Sequence, residues 1–339
     1  MEYQQVSAWE QARPGAAILP RVHNRVWVKA MRGSERVVGS EENTLANGAA
    51  NYTEELVMAL VTTQLTIMSF PLFNVQIVPF SSNFENLFGA DAKIPGSAKI
   101  APFYMQFKRP NRSTPNGQIS QDRTAFGLSS PTDSLNFGLR KKDGVPIHKL
   151  QHNVLYRTRA RLHKHGIGDA AYVCSLFLSA GDYVKSAHHY GLWHWPFYRL
   201  KGPYVRKSVI IHGAALIGFP DIPWLDGHVS VPPHDKVTSA RHSYSFDHTG
   251  GDICFHSPIV IDHPRQTLRD WIAGMAESTR SEIAPDLDRS HELLNTLREA
   301  AELPEEPDGV RAALPRWLAF GDALESEYGI SQFAFVVPD

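Results

Sequence analysis

Over residues 54–68, Val57, Leu60, Val61 and Leu65 recur at helical spacing, which predicts an amphipathic helix. Thr53 stands where an N-cap belongs, and Glu54 and Glu55 fill the first turn. Residues 69–80 (SFPLFNVQIVPF) read as a strand with Pro71 and Pro79 near its ends, and residues 81–92 as a turn that presents Glu85 and Asp91. Residues 103–108 (FYMQFK) alternate and are rich in aromatics, the pattern of a strand, and they stop at Arg109-Pro110. The stretch rich in Pro, Ser, Asn and Gly that runs to about Pro131 predicts an exposed loop.

A short strand is expected at 135–139. A second helix follows at 147–165, with Leu150, Val154, Leu155 and Leu162 on its apolar side and Gly166 and Gly168 ending it. Residues 170–178 (AAYVCSLFL) are a continuous apolar run, as in a strand covered on both faces. Short strands are also expected within 16–29, before a polar loop at 39–51. Beyond residue 186 the chain reads as a loop-rich β extension. Within it, Gly250-Gly251-Asp252 predicts a hairpin turn between 244–246 and 253–255. Helical patterns at 264–303 and 311–328 and a last strand at 333–337 complete an α/β chain. The expected organisation is an N-terminal β segment (1–50), a core (51–185), a β-rich extension (186–262) and a helical C-terminal region (263–339).

Composition narrows the class. With 339 residues, 42% of them hydrophobic, the chain is long enough for a substantial core. The N-terminus lacks a basic segment followed by an apolar run, and the most apolar stretch, 56–79, is interrupted by polar residues. The expectation is a cytoplasmic protein with no membrane partner. Cys174 and Cys254, the two cysteines, are expected to be free and buried.

The candidate chemistry lies in the core. Side chains two apart on a strand share a face, so Gln106 and Lys108 point the same way. Hydrolysis of a phosphodiester with a divalent metal requires oxygen ligands and a nearby cation, which Asp91, the Gln106 carbonyl and Lys108 supply, together with a carboxylate from the first helix. Asp91 followed by Gln106-Phe107-Lys108-Arg109 resembles the PD-(D/E)xK nuclease superfamily, in particular the Mrr-like branch with a QxK motif. The resemblance covers residues 50–180. It implies a restriction-endonuclease-like core (αβββαβ) and hydrolysis of DNA phosphodiesters with Mg²⁺ or Mn²⁺. Asp91 and a helix-one glutamate would be metal ligands, Gln106 an auxiliary ligand and Lys108 the catalytic lysine. By analogy it also implies a place in restriction or antiviral defence. The chain departs from the family pattern in having Gly89-Ala90, without proline, before Asp91. The helix-one acid is either Glu54 or Glu55; Glu54 is preferred because it shares a face with Val57, Val61 and Leu65. Glu85 is a further rival ligand. The alternative reading is a catalytically inactive nucleic-acid-binding sensor or subunit with the same fold.

Charge changes the picture of partners. The net of −1 hides two opposed segments: residues 101–165 hold twelve Lys and Arg against three Asp (+9), and residues 264–339 hold seven Arg against fifteen acids (−8). A cationic segment suits phosphate, so DNA is expected to bind mainly through its backbone, with Arg109, Arg140, Lys141, Lys142, Lys149, Gln151 and Arg157 as candidate contacts. The acidic helices repel nucleic acid, pack against the basic core, or make a protein interface or self-association. The histidines show no paired zinc-ligand spacing, and no Gly-x-Ser-x-Gly elbow marks a serine hydrolase.

Overall fold

The helical pattern at 54–68 becomes helix α1 (Glu54–Met68), and Thr53 Oγ1 accepts the Leu56 amide at 3.3 Å at its start. The computed structural model describes residues 48–68, 76–80, 94, 96–128, 134–139, 144–184, 227–231, 233–234, 236–239, 241–256, 259–260, 267–279, 284–304 and 312–337. The strands expected within 16–29 lie outside them.

One mixed sheet has the order β1 (Gln76–Pro79), β10 (Ser331–Val337), β2 (Lys99–Lys108), β5 (Asp169–Ser175) and β6 (His228–Val231). Strands β2 and β5 are parallel, and helix α3 (Gln151–His165) lies between them in sequence; the other pairs are antiparallel. A parallel pair needs such a crossover because a tight turn cannot carry the chain back to the end of the sheet where the first strand began. Gly166 ends α3 in the left-handed region (φ 69°). Gly168 follows at φ +70°, where a Cβ would sit 1.9 Å from the Pro102 carbonyl oxygen, so only glycine fits this entry into β5.

Strand β2 is covered on both faces. Ala101, Phe103, Met105 and Phe107 belong to a core with α1 and helix α4 (Leu268–Thr279), where Phe103 contacts the rings of Trp271, Phe333 and Phe335. Ile100 and Tyr104 belong to the opposite core, with α3 and helices α5 (His291–Ala301) and α6 (Ala313–Tyr328). That core continues into a second, antiparallel sheet in the order β3 (Asn111–Arg112), β4 (Leu135–Gly138), β7 (Ser243–Phe246), β8 (Cys254–Phe255) and β9 (Ile259–Val260). As expected, residues 250–252 turn the chain between β7 and β8, with positive φ at Gly250 and Asp252.

Three features differ from the sequence reading. Helix α2 (Gln118–Ala125) stands inside the stretch expected to be loop; its buried residues are Ser120 and Arg123, so it carries no apolar stripe for periodicity to detect. Strand β4, expected to be the third strand of an αβββαβ core, joins the second sheet beside β3 and β7. The strand between β1 and β2 comes from the C-terminal region: β10 pairs with both. The stretches 51–185, 186–262 and 263–339 therefore share their sheets, because backbone pairing is non-local and leaves little local signature. Both cysteines are free and buried. Among the described residues no helix is long and apolar enough to cross a membrane.

Candidate active site

The carboxyl end of β2 carries the motif inward. Gln106 and Lys108 are 2% and 3% exposed. The Lys108 ammonium lies 3.5 Å from Glu54 Oε1, whose side chain is 43% exposed. Glu55, one residue on, is exposed. Sharing the buried face of α1 thus brings Glu54, and not Glu55, to the lysine. Asp91 and Glu85 lie outside the described residues.

The chain leading into α1 is braced at several points. Arg109 Nη1 donates to the carbonyls of Ala50 (3.3 Å) and Tyr52 (3.1 Å). The Ala50 amide donates to the Pro110 carbonyl, and the Asn51 amide to that of Leu178. Asn51 Oδ1 in turn accepts the Ala180 amide at 2.5 Å. The Tyr52 hydroxyl contacts Ser175 Oγ and the Phe177 carbonyl, and burial pushes its titration well above the ordinary phenol range. Arg109, expected on a nucleic-acid surface, is here a positioning group: it ties the strand end to the segment that delivers Glu54.

Cys174 lies opposite Lys108 in the parallel register. Burial raises its thiol titration well above the usual value, Glu54 raises it further and Lys108 opposes. The carboxylate and the ammonium are thus both felt on β5, where sequence reasoning assigned only a buried thiol. Two further atoms on this strand stand out. Gln106 Oε1 and Tyr104 Oη are buried without a hydrogen-bond partner. By alternation Tyr104, Gln106 and Lys108 share one face. An unsatisfied buried polar group costs about 1–3 kcal/mol, so such atoms call for a ligand, an ion or a functional reason.

A divalent cation such as Mg²⁺ takes oxygen donors, and the Glu54 carboxylate and the orphaned Gln106 carbonyl are of that kind. Among the described residues no group of three or more His, Cys, Asp or Glu converges as a metal site. Glu54 and Gln106 are donors of the kind such an ion takes, but they are too few to hold it, and by alternation Gln106 lies on the face of β2 opposite the one that packs on α1.

The candidate phosphate contacts divide. Gln151 is buried, and its amide donates to the Tyr328 carbonyl. Arg157 is held by the Ala300 and His148 carbonyls, each at 2.7 Å, and by Glu302 at 3.2 Å. Arg161 pairs with Glu299 at 4.0 Å, and Arg159 with Asp169 at 2.8 Å. Much of the basic face of α3 is thus engaged by the chain's own carboxylates and carbonyls, those of α5 prominent among them. Lys149 is exposed at the end of a 3-10 turn, beside a cleft of about 280 Å³ that Gln151, Glu302 and Tyr328 also line. Arg140, Lys141 and Lys142 lie outside the described residues. Arg112, which sequence reasoning did not single out, is exposed four residues past Lys108 and lines a wider cleft of about 640 Å³ with Ser179, Asp182 and His248.

Compared with protein-family models, curated proteins and solved structures, the chain matches none. Its chemistry is therefore argued from the arrangement itself: a buried cation on a strand end, a carboxylate against it, and an amide oxygen with no partner two residues back on the same strand.

Proposed function

We propose that this chain is a metal-dependent nuclease that hydrolyses DNA phosphodiester bonds, with Lys108 as the catalytic cation. The observation that carries this reading is the approach of Glu54 to Lys108, two residues along β2 from the unpartnered Gln106 oxygen. A buried lysine next to oxygen ligands suits a reaction in which negative charge grows on a phosphoryl group. A bound Mg²⁺ or Mn²⁺, held by Glu54, Gln106 and Asp91, would supply Lewis-acid polarisation of the phosphate and a more acidic water. Lys108 would orient the attacking water and neutralise charge on the phosphoryl oxygens. The water oxygen forms the new P–O bond and gives up a proton, the ester P–O bond breaks, and the leaving oxygen takes up a proton. Arg109 keeps Glu54 in place through the backbone of Ala50 and Tyr52. The exposed Arg112 and Lys149 are the described cations best placed to meet the DNA backbone. A role in restriction or antiviral defence is the analogy this reading carries.

Plasmid nicking by the full chain tests it, without metal and with Mg²⁺ or Mn²⁺, for the wild type, Lys108→Ala and Asp91→Ala. Metal-dependent cleavage lost in both variants, with DNA binding retained, supports the nuclease. No cleavage by the wild type in either metal rejects it. The second reading, an inactive nucleic-acid-binding sensor or subunit, draws on Lys108 being already ion-paired. It predicts salt-sensitive DNA affinity with no metal-dependent product.

A further inference from the structure

Helix α2 is attached to the second sheet through polar groups. Its buried side chains are Ser120, whose hydroxyl donates to the Thr114 carbonyl at 2.7 Å, and the fully buried Arg123. Arg123 Nη1 donates to Ser245 Oγ on β7 (3.1 Å) and to the Asp252 carbonyl in the β7–β8 turn (2.9 Å). His256, just past β8, bridges the same two elements. Its Nδ1 is 3.0 Å from Asp122 Oδ2, and its Nε2 is 2.8 Å from Ser245 Oγ.

The donors fix the protonation. A carboxylate only accepts, so Nδ1 carries the imidazole hydrogen. A guanidinium only donates, so Ser245 Oγ accepts from Arg123, and with His256 neutral its own hydrogen goes to Nε2. The contacts among the four groups are mutually consistent when His256 is neutral. A second proton, on Nε2, would take that acceptor from the Ser245 hydrogen, leave two cations sharing one hydroxyl oxygen, and place an imidazolium near a buried guanidinium. We propose that Asp122, Arg123, Ser245 and His256 form an acid-released latch, in which protonation of His256 frees α2 from the second sheet.

The electrostatics of the site agree. Burial, the largest influence, lowers the His256 titration below the ordinary imidazole range; Asp122 raises it and Arg123 lowers it again, with a net downward shift. The other groups packed here are Gln118, which donates to Asp122 at 2.7 Å, and His242, whose Nδ1 donates to the His256 carbonyl at 3.2 Å. Behind Arg123 stand Asp247, Asp252 and Cys254. A lowered histidine titration means that the latched state binds fewer protons than the released one. Its stability is full above the unfolded value of about 6.5 and falls as pH drops below it, until the latched histidine itself titrates. The order Asp–His–Ser is also that of a nucleophile relay, but Ser245 has no exposed surface and its oxygen already has both neighbours. Helix α2 follows β3 in the chain, whose Arg112 stays paired with β4 and lines the wider cleft.

Hydrogen exchange of the amides of residues 118–125 in the full chain, corrected for intrinsic rates and compared between pH 8 and pH 5, reads the latch. In the wild type, protection of α2 should fall by up to about tenfold per pH unit below 6.5, the slope that one proton allows. His256→Gln, which keeps a polar side chain but does not titrate, should remove that pH dependence. Asp122→Asn, which keeps an acceptor for Nδ1 but removes the charge that favours the imidazolium, should leave the onset near 6.5 and extend the fall to lower pH. Equal protection at both pH values in the wild type, or an unchanged dependence in His256→Gln, overturns the proposal. So does covalent capture of Ser245 by a fluorophosphonate probe, which would make the network a catalytic relay.

Discussion

Arg157 on α3 and Glu302, just past α5, stand 3.2 Å apart, and through them the most basic stretch of the chain meets the most acidic. Arg161 and Glu299 repeat the contact, at 4.0 Å, on the same pair of helices. The helix that looked most like a phosphate-binding face is to a large extent an internal seam.

Arg157→Ala should therefore leave DNA affinity and its salt dependence unchanged while lowering stability by about 1–2 kcal/mol. Most of that loss comes from the hydrogen bonds to Ala300 and His148, since solvent screens the ion pair. A mobility-shift titration at two salt concentrations, alongside urea unfolding, checks both halves. A drop in affinity for Arg157→Ala with no stability change would return the helix to the DNA interface.

Glu54→Gln keeps the shape of the side chain that touches Lys108 but removes its charge. If Glu54 is a metal ligand, cleavage in Mg²⁺ should fall by about 10²-fold or more, an effect of the size expected for a group that stabilises transition-state charge. Glu55→Gln, at an exposed position, should leave cleavage unchanged. Equal effects of the two substitutions would sink the assignment.

Gln106→Leu separates stability from function. The buried Oε1 lacks a partner, so an apolar replacement of similar size should raise stability by about 1 kcal/mol. The same change should abolish metal-dependent cleavage. A destabilised Gln106→Leu would mean that the oxygen contributes to the fold.

Asp169 anchors three elements. Its carboxylate accepts from Arg159 (2.8 Å), His163 (2.9 Å), the Ala170 amide (2.8 Å) and Trp271 Nε1 on α4 (2.9 Å). Burial alone would raise its titration, but these partners together carry it below the ordinary carboxylate range. A depressed carboxylate stabilises the fold above its unfolded value of about 3.9 and loses that contribution as pH falls below it. Asp169→Asn should therefore unfold at lower urea than the wild type at pH 7, with the gap closing toward pH 3. A gap independent of pH would rule out the charge as its cause.

What the sequence makes legible is what periodicity and caps can express. Thr53, the apolar side of α1 and the shared face with Val57 select Glu54 over Glu55, and Glu54 is the residue found against Lys108. Gly166 and Gly168 mark the end of α3 for the same local reason. Helix α2 escapes detection because a buried arginine and serine hold it. The latch escapes because Asp122, Ser245 and His256 lie more than a hundred residues apart in part, and each looks ordinary alone. Neutral overall charge cannot reveal that oppositely charged helices face each other.

Strand β10 has a consequence for how the molecule is made. It fills the slot between β1 and β2, and its register joins Phe333 to Phe103 and to Pro79 across more than two hundred residues. Closing so large a loop is entropically slow, and the reward comes only when both neighbours are in place. On the ribosome, β1 and β2 emerge long before their common partner and must wait with open edges. The centre of the sheet is thus completed late, and a nascent chain stalled before residue 331 exposes the strand that bears Gln106 and Lys108 as a site for aggregation or chaperone capture.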